Sequence, residues 1–272
     1  MSFWLTVQRG SAPLVLSIPH AGFDIPPEIK DRLNSTWLAR KDTDWWVDRL
    51  YALVAPIDAT IVRTAISRTA IDVNRDPAGA SLYPGRATTE LCPTTTFDGE
   101  PLYRDGLTPA AAEIETRTKH WFEPYHQALA LQLDRLRTVH ERIVLYDCHS
   151  IRSVVPRLFD GILPYFNLGT NDGASCSHKL AAAVESACDR TPFSRVTNGR
   201  FTGGWITRHY GKPQAGVHAI QVELACRGYL NEPIGGVDEA TWPAPFDEAY
   251  ATTMIAALEQ VLKACVQFAE QS

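Results

Sequence analysis

The run RIVLYDCHS (142–150) constrains this chain more than any other stretch. Its apolar half reads as a buried β-strand, and it then breaks into Asp147, His149 and Ser150, polar groups that need partners if they stay inside a fold. The same design recurs along the sequence. LVLSI (14–18) is stopped by Pro19 just before His20, and ATIVRTAI (59–66) runs into Arg68, Asp72, Asn74 and Arg75. HAIQVELAC (218–226) carries Glu223 between Val222 and Leu224. A carboxylate there would cost several kcal/mol if left unpaired, so it implies a site role or a pairing with Arg or a metal.

Helical patterns alternate with these strands. TDWWVDRLYALV (43–54) has apolar residues at helical spacing, with Asp42 or Thr43 as its N-cap. Helices are also expected over 109–139, 175–189 and 244–270, and SRVTNG (194–199) is a short strand or turn. The alternation predicts an α/β fold, one domain over 1–272, with a mixed, mostly parallel sheet flanked by helices. Residues 76–108, rich in Pro, Gly and Thr, lack periodicity, and a stretch that long reads as a functional loop or lid.

Composition excludes several functions. With 26 basic and 31 acidic residues the net charge is −5, a poor basis for nucleic-acid binding, which needs clustered cations. No segment approaches the roughly 18 apolar residues of a membrane span, and no basic region precedes the first apolar stretch as in a signal peptide. The six cysteines include no C-x-x-C pair, so buried free thiols in a cytoplasmic protein are expected.

Open α/β sheets build their sites at the carboxyl ends of their strands. His20, the Arg68–Arg75 segment, Asp147, His149 and Glu223 all fall there. Two histidines with a carboxylate can hold Zn²⁺ or another divalent metal and leave a position open for water. Plainer readings exist for some of them: His20 as a turn residue, Asn74–Arg75 as a surface turn, and Asp42 and Asp44 as helix-start acids favoured by the macrodipole. His120 and His126 lie in a charged helix, where exposure is expected. The sequence has no H-E-x-x-H, no G-x-S-x-G and no P-loop. Cys148 and His149, adjacent on a strand, face opposite ways and cannot act as a thiol–imidazole pair.

Taken together, SIPHAG (17–22), TDWWVDRLY (43–51), SRTAIDVNRD (67–76), YDCHS (146–150), NGRFTGGWITRHYG (198–211) and QVEL (221–224) resemble the N-formylglutamate amidohydrolase family over about residues 12–232. That family is similar in fold to the zinc carboxypeptidases and aspartoacylases, a phosphorylase/hydrolase-like arrangement. The resemblance implies a zinc-dependent deformylase acting on a small dicarboxylate in histidine degradation. It implies His20 and His149 as metal ligands. The carboxypeptidase glutamate three residues after the first histidine is replaced here by Phe23, which leaves Asp44, with Asp42 second, for the third ligand. It further implies Glu223 as general base, Arg68 as the group polarising the scissile carbonyl, and Asn74 and Arg75 as substrate-carboxylate ligands. Arg200 or Arg208 would supply a second cationic fork, with Gly203 and Gly204 giving backbone access to the substrate. The competing expectations are a hydrolase of another N-acyl amino acid, carboxypeptidase-like, and a non-catalytic protein that binds anionic ligands through the same arginines. His126 is the alternative base.

Overall fold

Seven strands form one sheet in the order β1-β3-β2-β4-β7-β5-β6 in a computed structural model that describes residues 4–54, 57–81, 85–233 and 235–271. The strands are β1 (Leu5–Gln8), β2 (Leu14–Ile18), β3 (Thr60–Thr64), β4 (Ile143–Ile151), β5 (Phe166–Gly169), β6 (Arg195–Thr197) and β7 (Val217–Ala225). The central four, β3, β2, β4 and β7, run parallel, while β1 and β5 join antiparallel at either side. The mixed, mostly parallel sheet and its flanking helices are therefore as expected. β1 and β5 are additions: LTVQ and FNLG are too short for a period-2 pattern to stand out.

The helices are α1 (Pro27–Lys30), α2 (Thr36–Arg40), α3 (Val47–Ala52), α4 (Ala111–Arg117), α5 (Glu123–Arg137), α6 (His178–Asp189), α7 (Trp205–Tyr210) and α8 (Glu248–Glu270). A single π turn, Thr118–Phe122, joins α4 to α5, so the long helix expected over 109–139 is one rod with a local widening. None of the helices among the described residues is long and apolar enough to cross a membrane.

Strand alternation divides the core in two. Leu14, Leu16, Val144, Tyr146, Cys148, Ile220 and Val222 face α3, α6 and α8. Val15, Val62, Ile143, Leu145 and Ala219 face α5, whose Tyr125, Leu129, Leu133 and Leu136 recur at helical spacing. All six cysteines are free thiols and buried.

The second face carries the chemistry, because its apolar positions give way to polar ones toward the strand ends. On β4 the sequence Ile143, Leu145, Asp147, His149 occupies that face, and on β7 it is Ala219, Gln221, Glu223. The parallel register sets Asp147 beside Gln221 and His149 beside Glu223.

One expected helix start is corrected. Helix α3 begins at Val47, with Trp46 before it in the left-handed region at φ 63°. That conformation is unfavourable for a bulky residue; here the Trp46 indole N–H donates to the Ala244 carbonyl at 2.9 Å, which helps hold it. Neither Asp42 nor Asp44 caps the helix. The chain instead turns through Thr43–Trp46, and the turn directs Asp44 into the sheet end.

Candidate metal-hydrolase site

His20 leaves β2 and Asp44 leaves the turn before α3, and their backbones are joined by Asp44 N–H donating to the His20 carbonyl at 3.0 Å. One side-chain atom from each of His20, Asp44 and His149 converges, all within 4.8 Å of one another and all buried. Each imidazole is anchored by its far nitrogen. His20 Nε2 lies 2.6 Å from Asp72 Oδ1, and His149 Nε2 lies 3.0 Å from Asp147 Oδ2. At His20 the carboxylate facing Nε2 holds a proton on that nitrogen and turns the lone pair of Nδ1 inward, the usual way a ligand histidine is oriented, whereas His149 Nε2 also lies 2.9 Å from Asn74 Nδ2.

Inside, the atoms lack partners that neutral chemistry would supply. His20 Nδ1 and Asp44 Oδ1 are buried without a hydrogen bond. Asp44 Oδ2 accepts from Ser150 N–H at 3.1 Å and also sits 3.0 Å from His149 Nδ1. That last contact calls for positive charge, either a proton on Nδ1 or a metal ion: burial opposes protonation, and Asp147 and Asp44 outweigh it and hold the His149 imidazole well above its ordinary value. The donor set, two imidazole nitrogens and a carboxylate with further space in front, fits a divalent metal such as zinc. Between Asp44 and Asp42 the geometry distinguishes clearly. Asp42 accepts from Phe97 N–H at 2.6 Å and pairs with Arg152 at 3.2 Å, so it latches the 94–101 loop instead of facing the histidines.

The carboxylates Asp72 and Asp147 were visible in the sequence only as members of a cluster, and the structure gives them work. Asp72 is fully buried yet held well below the usual carboxylate range: burial opposes this, and Arg75, His20 and Arg68 outweigh it. It faces Arg68 at 2.8 Å and accepts from Asn74 N–H at 2.9 Å. Asp147 accepts from the Ser17 hydroxyl at 2.9 Å and from Asn74 Nδ2 at 3.1 Å. Burial and then the Arg68 charge hold His20 below its ordinary value.

Glu223 lies beside His149 across the strand pair, and burial pushes its carboxyl up to about 7, against the opposing pull of His149. A carboxyl near neutrality can both take and return a proton. Its Oε2 accepts from Gln221 Nε2 at 3.2 Å. Arg68, Arg75, Arg200, His20, His149 and Glu223 line one open cavity, joined by Asn74, Gly204 and Gln221. Arg75 donates to the Thr89 carbonyl at 3.1 Å, and Arg200 to the carbonyls of Leu158 and Ala87 at 2.6 and 2.7 Å. Thr88, Thr89 and Phe97 from the aperiodic 76–108 segment form one side of the cavity, and Arg200, Phe201 and Gly204 another, so both segments border it as expected. Residues 82–84 of the first segment lie outside the described residues.

Three expectations change. Arg208 and Gly203 do not line the cavity: Arg208 donates to the Gly203 carbonyl at 2.9 Å and to the Thr202 hydroxyl at 3.0 Å, which braces the loop from behind. Asn74 does line it, but with its side chain engaged. Its Oδ1 accepts from Ile206 N–H at 2.8 Å while its amide holds Asp147, and Gly204 packs so closely that a Cβ there would overlap this side chain. His126 is buried, not exposed. Its Nε2 donates to the Val73 carbonyl at 2.8 Å, its Nδ1 faces the Tyr210 hydroxyl, and burial lowers its pKa to about 3. It supports the Asn74 segment and has no free nitrogen for base chemistry. A ring of aromatics surrounds it, Phe122 and Tyr125 from nearby in the chain and Trp205 and Tyr210 from α7.

The family model described as N-formylglutamate amidohydrolase matches residues 12–230. The N-formylglutamate deformylase of Pseudomonas putida is 42% identical over 261 residues, 96% of this chain and 94% of that protein. The N-formylglutamate deformylase of Pseudomonas aeruginosa is 46% identical over 229 residues, covering 84% and 86%. Among solved structures, the N-formylglutamate amidohydrolase from Ralstonia eutropha superposes with a TM-score of 0.78 at 24% identity, covering 98% of each chain, a likeness of fold.

Proposed function

The chain belongs to the N-formylglutamate amidohydrolase family, and from that premise we propose that it hydrolyses N-formyl-L-glutamate to formate and L-glutamate with a divalent metal, zinc in the first instance, held by His20, Asp44 and His149. The observation that carries the metal reading is the convergence of buried ligand atoms from His20, Asp44 and His149, with His20 Nδ1 left without a hydrogen bond. A divalent cation at this point supplies a Lewis acid for the formyl carbonyl and acidifies a water.

The chain's own residues do the rest. Glu223 accepts the proton of the attacking water and returns it to the departing amine nitrogen, so that the carbon–nitrogen bond breaks with a neutral leaving group. Arg68 lies within the same cavity, fixed against Asp72, and offers its positive charge to the oxyanion that develops on the formyl oxygen. Arg75 and Arg200 line the cavity and meet the two carboxylates of the substrate, for which guanidinium forks are well matched. Asp72, Asp147 and Asn74 keep these groups in place and touch no reacting atom. Within this reading the substrate is a small dicarboxylate from histidine degradation and the protein works in the cytoplasm.

Formate release from a panel of N-formyl and N-acetyl amino acids, with and without a chelator, tests the assignment. The expected result is selective release from N-formyl-L-glutamate that chelation abolishes and zinc restores. Full activity in metal-stripped protein would overturn the metal site, and equal turnover of neutral formyl amino acids would overturn the role of the arginines.

A further inference from the structure

Gln221 is the polar residue of the β7 face to which the proposed chemistry gives no part. It is 4% exposed, and its neighbours on the same face are Ala219, a core residue, and Glu223. Its amide joins the start of α7 to the Glu223 carboxylate on β7. Gly204 N–H, at the start of α7, donates to Gln221 Oε1 at 2.6 Å, and Gln221 Nε2 donates to Glu223 Oε2 at 3.2 Å. The orientation of the amide follows from these partners: only its oxygen can receive a backbone N–H, so only its NH₂ can face the carboxylate. The remaining surroundings leave it little freedom, since Asp147 occupies the paired position on β4 and the Gly204 backbone is pressed against Asn74.

We infer that Gln221 is a positioning residue for the reaction: it fixes the Glu223 carboxylate by donating to one oxygen, and ties that carboxylate to the Arg200–Gly204 loop through Gly204. The inference rests on the reading of Glu223 as the base. One oxygen of Glu223 is held by the amide, which leaves the other to face the water. Because the same amide takes the Gly204 N–H, the loop that carries Arg200 and the base keep a fixed relation, so the substrate's carboxylate and its formyl carbon are referenced to one frame. A glutamine is suited to this because it donates and accepts at once over the right span.

Two substitutions separate the roles. Gln221→Met keeps the length and removes both hydrogen bonds. Gln221→Glu keeps an acceptor for Gly204 and replaces the donor to Glu223 with an oxygen. Measurements of kcat and KM for N-formyl-L-glutamate, bound zinc and Tm are made on both, and on Gln221→Met combined with Glu223→Gln. Both single variants should lose about 10-fold or more in kcat, the scale of a lost hydrogen bond to a charged group, with KM within about 3-fold and zinc unchanged. In the Glu223→Gln background, Gln221→Met should add less than about 3-fold, since the group it acts through is already gone. Full kcat in Gln221→Glu, with loss only in Gln221→Met, would show a mere support for the loop and overturn the inference. An equal loss in both backgrounds, or a change confined to KM, would do the same. Wild-type turnover in Glu223→Gln alone is a different failure, which removes the base reading and the inference with it.

Discussion

The inner wall and the rim of the cavity hold their charged groups in different ways. On the wall, His149 and Glu223 stand side by side on paired strands, 2% and 7% exposed, and His20 and His149 are backed by carboxylates that are themselves fully buried. At the rim, Arg75 and Arg200 come from loops, stay half-buried, and are steadied mainly by backbone carbonyls of neighbouring loops. Sheet pairing leaves the wall little freedom, which suits groups that must meet a reacting atom within a fraction of an ångström. Guanidinium groups that line the cavity are well matched to an anionic substrate. A change in the wall should therefore act on turnover or metal, and a change in the rim on substrate affinity.

The largest expected effect tests the wall directly. Glu223→Gln keeps the shape of the side chain and cannot take up and return a proton. Turnover should fall by about 10²-fold or more, with zinc content and KM little changed. Near-normal turnover would break the division between wall and rim at its strongest point, and His126 could not replace the base because both of its ring nitrogens are engaged. Next comes Asp147→Asn, which keeps the contact to Ser17 but weakens the hold on His149. Zinc affinity, measured by competition with a chelating dye, should fall about 10- to 100-fold, and excess zinc should restore most of the turnover. Unchanged zinc affinity would mean that the carboxylate behind His149 does not orient it.

The wall was also the more legible region. The break from apolar to polar in RIVLYDCHS, and Glu223 inside an apolar run, are physical oddities that only a site relieves, and period-2 alternation puts Asp147 with His149 and Gln221 with Glu223. The hydrogen-bond partner of Glu223 was not legible: the residue pattern points to a site role or a pairing with arginine or metal, and the carboxylate accepts from the amide of Gln221. Trp45 and Trp46 extend the helical pattern back to residue 43, which gives Asp42 and Asp44 the look of helix-start acids; the left-handed Trp46 instead delays the helix to Val47. His126 was masked by the charges flanking it, while its burial comes from aromatics on α7, far along the chain. Rim residues carry no periodicity, so their number could be read but not which of them face inward.

At the rim, Arg75→Ala should raise KM for N-formyl-L-glutamate by about 10-fold or somewhat more, the scale of a lost charge-assisted contact. The amide of the same substrate, lacking a carboxylate, should show much less change. The two KM ratios, taken with kcat, tell recognition from damage to the wall, since Arg75 Nη1 also lies 3.7 Å from Asp72. If both substrates lose kcat equally, Arg75 belongs to the wall and the comparison must be redrawn.

The smallest effect is expected at Arg208, and it sharpens the comparison most finely because Arg208 shares a segment with Arg200 but not a position. Its contacts run to the Gly203 carbonyl and the Thr202 hydroxyl, behind the cavity, whereas Arg200 lines it. Arg208→Ala would loosen the loop through these two bonds and reach the substrate only by way of Gly204 and Arg200. Each bond is worth on the order of 1 kcal/mol in net terms, and most of that would appear as a lower Tm, with KM rising by no more than about 3-fold. The check is to compare KM for N-formyl-L-glutamate and for its amide in Arg208→Ala and Arg75→Ala side by side. A brace gives a small change that is the same for both substrates, because it does not read the charge. A large rise limited to the dicarboxylate would place Arg208 in contact with substrate during turnover, and the loop would then have to move from the position the structure gives it.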